Sequence, residues 1–107
     1  MSAQIVYLSH GGGPLPLLGD ANHRSMVRFM QGLGGLLQRP KAIVVFSAHW
    51  EEARPTVIVD ERPPLLYDYY GFPPESYTYA YPAVCDVALA RRIIGLLDGE
   101  EKRGRGW

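Results

Sequence analysis

Lys41-Ala42-Ile43-Val44-Val45-Phe46, followed at once by Ser47-Ala48-His49-Trp50, is the stretch that decides the fold of this chain. An unbroken apolar run from Ala42 to Phe46, rich in β-branched side chains, suits a central strand of a parallel sheet that is covered on both faces. Upstream, Gln4-Ile5-Val6-Tyr7-Leu8 is a second run of the same kind, stopped by Ser9-His10-Gly11-Gly12-Gly13-Pro14. Between the two, Asp20 and Asn22 are N-cap residues for a helix. Met26, Phe29, Met30, Leu33 and Leu37 fall on one face of it, with Arg24, Arg28 and Gln31 on others. Gly34-Gly35 weakens the end of that helix and Arg39-Pro40 stops it. Strand, helix and strand within about 45 residues predict a βαβ unit with a right-handed crossover. Thr56 to Val59 predicts a third strand, and Asp86 caps a second helix whose apolar stripe is Val87, Ala90, Ile94 and Leu97. From Gly99 onward the sequence is polar, with no periodicity. The expected fold class is α/β: a small parallel or mixed sheet with flanking helices, in one domain over residues 1–107. Such a sheet has at least one bare edge, which more protein ordinarily covers.

Composition narrows the functional classes. Eleven basic residues balance eleven acidic ones, so no net field draws the chain to nucleic acid or to an anionic membrane. No apolar run reaches the length of a membrane span, and the first residues carry neither the basic nor the apolar part of a secretion signal. With one cysteine, Cys85, no internal disulfide is available. These features predict a soluble cytoplasmic protein. Six of the seven tyrosines lie between Tyr67 and Tyr81, in a proline-rich loop from Arg62 to Val84. Loops of that length in a small domain tend to carry function.

The chemistry-bearing residues are few. His10 and His49 each end an apolar run, and ligands of open α/β sheets gather outside the carboxyl ends of the strands. Two neutral imidazoles converging there suit a divalent metal, with a carboxylate or a third histidine completing the face; hydrogen-bonded scaffolding is the plainer reading of either one alone. Glu51 and Glu52 follow His49 and are carboxylates within reach in sequence. His23, at the start of the helix, is a candidate for contact with a substrate or for support of the metal ligands. The tyrosine-rich loop suits stacking on a flat aromatic substrate, or equally a packed lid or subunit contact. Cys85 is read as an apolar filler. The His-Gly-Gly-Gly sequence is compatible with an oxyanion loop, but no G-x-S-x-G nucleophile elbow accompanies it, so a serine hydrolase is disfavoured. No residue is assigned as a catalytic acid or base.

Three ordered segments, Ser9 to Pro14, Arg39 to Trp50, and Tyr67-Asp68-Tyr69-Tyr70-Gly71-Phe72-Pro73, resemble the class III extradiol ring-cleaving dioxygenases, in their DOPA-dioxygenase-like branch. The resemblance runs from about Ile5 to Leu97. It implies that His10 and His49 are metal ligands. It also implies that the loop from Pro63 to Tyr81 lies near the substrate pocket, with Tyr67, Tyr70, Phe72 and His23 as substrate-binding candidates. The implied cofactor is Fe(2+), with Zn(2+) as the other choice. The implied partners are a catecholic small molecule and dioxygen, without nucleic acid or membrane, in a chain free to form a homo-oligomer. Family members are longer and carry a later Asp-His-Gly motif and a further metal ligand, so the resemblance implies the N-terminal part of a larger α/β domain. Two alternatives stand beside the dioxygenase: a degenerate non-enzymatic metal-binding domain, and a metal-dependent hydrolase completed by another subunit.

Overall fold

A computed structural model describes residues 3–104. The sheet it contains is built from Thr56–Ile58 (β1) and Glu100–Lys102 (β2), paired in parallel with Thr56 opposite Glu100 and Ile58 opposite Lys102. Helix Arg24–Leu33 (α1) precedes β1, and helix Val87–Leu97 (α2) joins β1 to β2 after a long loop. The architecture is therefore α/β, a two-stranded parallel sheet with two helices. No helix among the described residues is long and apolar enough to cross a membrane.

Local sequence explains both helices. Asp86 caps α2, its Oδ1 accepting the Leu89 N–H at 3.0 Å, which satisfies one of the amides a helix start leaves open. The other end closes at Asp98, whose left-handed φ of 51° a short polar side chain tolerates. Before α1 a 3₁₀ turn, Ala21–His23, is capped by Asp20, which accepts from the Asn22 N–H at 3.1 Å. α1 stops at Leu33 with Gly34 as its C-cap, ahead of Arg39-Pro40 and just where the glycine pair begins.

The sheet differs from expectation in two places. Gln4 to Leu8 and Lys41 to Phe46 form no strand, so the predicted βαβ unit through α1 is not made. A strand needs a ladder partner and, for side chains apolar on both faces, cover on both sides. Here Ile5 and Phe46 are 97% and 89% exposed, and no layer lies over them among the described residues. The parallel unit forms instead through α2, and its second strand comes from the polar stretch after Gly99. All three residues of β2 are exposed, so burial gave no pattern to read. Backbone bonds hold it: the Glu100 N–H donates to the Pro55 carbonyl at 2.8 Å and the Val59 N–H to the Lys102 carbonyl at 3.1 Å. Arg54 braces the same edge, donating to the Asp98 carbonyl at 2.7 Å.

The core lies where α2 meets β1. Val59 is 2% exposed and Ala90 5%, while α1 buries no residue. The radius of gyration is 15.5 Å, against about 13 Å for a compact domain of this length. Stability thus rests on few contacts, and the cap of α2 should weigh heavily among them. Asp86→Ala is expected to destabilise the chain by about 0.5–2 kcal/mol, read as a lower urea midpoint for the far-UV helix signal. An unchanged midpoint would show that the cap does not hold α2.

Candidate metal centre

The two apolar runs that form no ladder are still held together at both ends. At one end the Gln4 side chain clasps the Gln38 backbone, donating to its carbonyl at 2.9 Å and accepting from its N–H at 2.7 Å. At the other, the His10 and His49 rings face each other with centroids 4.8 Å apart and Nε2 atoms 3.1 Å apart. The structure therefore brings together the two histidines that lie 39 positions apart in sequence.

The Nδ1 partners set the tautomer that each neutral ring favours. His49 Nδ1 lies 2.7 Å from Asp68 Oδ2, and His10 Nδ1 lies 3.1 Å from the Gly11 carbonyl oxygen. A carboxylate and a carbonyl only accept, so each Nδ1 carries the ring proton. In the neutral rings both Nε2 atoms then hold bare lone pairs, aimed at each other over 3.1 Å. Opposed lone pairs at that distance repel unless a proton or a cation engages them. Two nitrogens bound to one divalent ion at about 2.0–2.1 Å, with an angle of roughly 90–110° between them, stand about 2.8–3.4 Å apart. The observed separation of 3.1 Å falls inside that span, so the pair fits adjacent ligands of one metal ion. The His49 side chain is about half exposed, which leaves the remaining faces open to other ligands.

A third protein ligand is not found: among the described residues no group of three or more His, Cys, Asp or Glu side chains comes together as a metal site. The Glu52 carboxylate instead accepts the Trp50 indole N–H at 2.9 Å. His23 stands one layer behind the pair. Its Nδ1 donates to Asp20 Oδ2 at 2.6 Å and its Nε2 accepts the Gly12 N–H at 3.1 Å, so both ring nitrogens are engaged. Its ring also occupies the space beside Gly11, where a Cβ would stand 2.4 Å from His23 Cδ2 and where φ is +72°. His23 is thus a strut under the loop that carries His10, and Gly11 is required at that contact.

The tyrosine-rich loop packs against both histidine-bearing segments. Asp68 reaches His49, while the Phe72 ring lies over Gly13, 3.2 Å from where a Cβ would stand. Within the loop the Tyr67 hydroxyl donates to the Tyr79 carbonyl and the Tyr69 hydroxyl to the Ser76 carbonyl. Tyr69 meets Phe72 edge-on at 5.4 Å and lies tilted against Tyr77 at 5.3 Å, ordinary spacings for aromatic pairs. Partial burial in this cluster, then the neighbouring Tyr67, Tyr79 and Tyr77, push the Tyr69 hydroxyl above its ordinary pKa. Tyr70 is 91% exposed and takes no part in these ring contacts. Sequence reasoning missed Asp68; its signal was a lone carboxylate among three tyrosines, 19 positions after His49. Cys85 sits away from the histidines, with its Sγ 3.6 Å from the Ile58 carbonyl.

Comparison with known proteins finds relatives named as dioxygenases. The chain is similar to dioxygenase tasH of Hapsidospora irregularis, with 44% identity over 98% of this chain and 36% of the relative. It is similar to the 4,5-DOPA dioxygenase extradiol of Escherichia coli (strain K12), with 42% identity over 86% of this chain and 32% of the relative. The protein of the same name from Beta vulgaris is 35% identical over 90% of this chain and 35% of the relative. No protein-family model and no solved structure matches the chain. The chain is similar to these dioxygenases over most of its own length, and it spans about a third of the length of the curated relatives it matches.

Two outcomes follow from these contacts. Gly11→Ala forces a Cβ into His23 and an unfavourable φ, at a cost of about 1–3 kcal/mol, and should lower the thermal midpoint; an unaltered midpoint would show that the loop yields freely. The Cys85 thiol is held above its ordinary pKa by burial, then by the carboxylates of Asp86 and Asp60. It carries less thiolate than a free cysteine at pH 8, so alkylation by iodoacetamide should be slower than that of a free thiol and should accelerate as the pH rises. Reaction as fast as the free thiol at pH 8 would contradict that placement.

Proposed function

We propose that this chain supplies the two-histidine part of a non-haem metal centre that opens a catecholic aromatic ring with dioxygen. The observation that carries the reading is the facing of the His10 and His49 Nε2 atoms at 3.1 Å, with an acceptor beside each Nδ1. Relatives named as extradiol and DOPA dioxygenases support the same chemistry. His10 and His49 would hold the ion from one side and leave adjacent positions open for exchangeable ligands. Fe(2+) is the proposed ion: when bound it passes electron density from the catechol to dioxygen. Zn(2+) would fit the same nitrogens but cannot change oxidation state, so a zinc-only protein would do hydrolysis or none of this chemistry.

The chain's own residues divide the remaining work. His23, with Asp20 behind it, keeps the His10 loop in place. The catechol ring is proposed to lie against the loop from Tyr67 to Phe72, with Phe72 and Tyr67 as an apolar wall and exposed Tyr70 as the side chain free to reach a substrate. Since the Tyr67 hydroxyl is taken up by the Tyr79 carbonyl, its contribution would be its ring face. Reducing surroundings would preserve a ferrous site, which agrees with a proposed cytoplasmic location.

A second reading, a metal-binding domain without oxygen chemistry, draws on the absence of a third protein ligand among the described residues. Two measurements separate them. In an anaerobic Fe(II) titration, His10→Ala/His49→Ala should bind at least about ten-fold more weakly than the parent; equal affinity would reject the pair as ligands. Adding a catechol and then oxygen to the loaded chain should yield a yellow ring-opened product. Metal bound with no colour formed would favour the second reading.

A further inference from the structure

We propose that Asp68 is a positioning residue of the metal centre: its carboxylate holds His49 in the Nδ1–H tautomer and so presents the His49 Nε2 lone pair to the ion. The proposal rests on the reading of His10 and His49 as metal ligands. Its geometric basis is the 2.7 Å bond from His49 Nδ1 to Asp68 Oδ2. Among the described residues the Asp68 carboxylate pairs with no lysine or arginine, and the His49 imidazole is its side-chain partner.

The segment that delivers Asp68 is braced on both sides. The neighbouring Tyr69 hydroxyl donates to the Ser76 carbonyl, and Phe72 rests over Gly13. His49 is fixed in turn by its own backbone N–H, which donates to Ser47 Oγ at 3.1 Å. The carboxylate therefore meets the ring from a held position. His10 has a weaker counterpart, the neutral Gly11 carbonyl at 3.1 Å. A carboxylate at the far nitrogen makes an imidazole a better donor to a cation than a carbonyl does, and removal of such partners lowers metal affinity by about 10–100-fold. The asymmetry assigns His49 as the stronger of the two ligands and Asp68 as the reason.

The test uses the full chain with ¹⁵N-labelled histidine and two readouts. In long-range ¹H–¹⁵N spectra of the metal-free protein, His49 should be the Nδ1–H tautomer in the parent and lose that preference in Asp68→Ala. The His23 signals, set by Asp20 and Gly12, should stay in place and report that the loop is intact. In Zn(II) titrations, Asp68→Ala should weaken binding by about 10–100-fold, and Asp68→Glu should recover part of the loss. If Asp68→Ala disturbs His23, the similarly sized Asp68→Leu, which has no acceptor for the Nδ1 proton, replaces it, with the same expected tautomer change and weakened binding. An unchanged His49 tautomer with Zn(II) affinity within two-fold of the parent overturns the proposal. Should His10→Ala/His49→Ala bind Zn(II) as tightly as the parent, the metal reading itself fails, whatever Asp68 does.

Discussion

Two lone pairs that cannot tolerate each other are the constraint on which this site depends. Imidazole nitrogens without protons, 3.1 Å apart, are stable only with something positive against them. Nothing in the pair itself imposes that state; it comes from the acceptors behind each ring, a carboxylate on one side and a backbone carbonyl on the other. Those acceptors are present because of loop packing. The His-Gly-Gly loop rests on His23, and the tyrosine-rich loop rests on Gly13 and delivers Asp68. Glycines at these contacts thus help set the geometry of the histidine pair, since a side chain at Gly11 would meet the strut that holds His10.

The scaffold around the pair is lightly built. One helix, α2, packs on the short parallel sheet around Val59 and Ala90, whereas α1 presents a half-exposed apolar stripe. The site is assembled mainly by loops and side-chain bonds rather than by a ladder of strands. The Gln4 clasp on Gln38 and the histidine pair tie the same two segments at opposite ends, and this is enough to align them without backbone pairing. Such an arrangement places much of the site's order in a few named contacts.

Legibility in the sequence followed the physics of each element. Helix α2 and its Asp86 cap were readable because capping and 3.6-residue periodicity are local signals. The meeting of His10 and His49 was readable from the placement of each after an apolar run, although those runs form no strands here. A strand depends on what lies beside it, and the apolar pattern of Gln4 to Leu8 states a preference without supplying a partner. The converse holds for Glu100–Lys102, a strand made by backbone bonds to the Pro55 and Val59 edge and invisible to any hydrophobic pattern. Asp68 escaped notice because a carboxylate in a loop has no periodicity, and its partner lies 19 positions away. The loop from Tyr67 to Tyr81 left two readings open, and in the structure its Tyr67, Tyr69 and Tyr77 rings contact one another within the loop.

X-ray absorption at the zinc edge of the Zn(II)-loaded chain tests the central claim most directly, because imidazole rings on a metal give a distinctive multiple-scattering pattern. Two imidazole nitrogens on one ion, with oxygen ligands completing the shell, is the predicted result. An ion coordinated by oxygen alone, or by a single imidazole, would contradict the account.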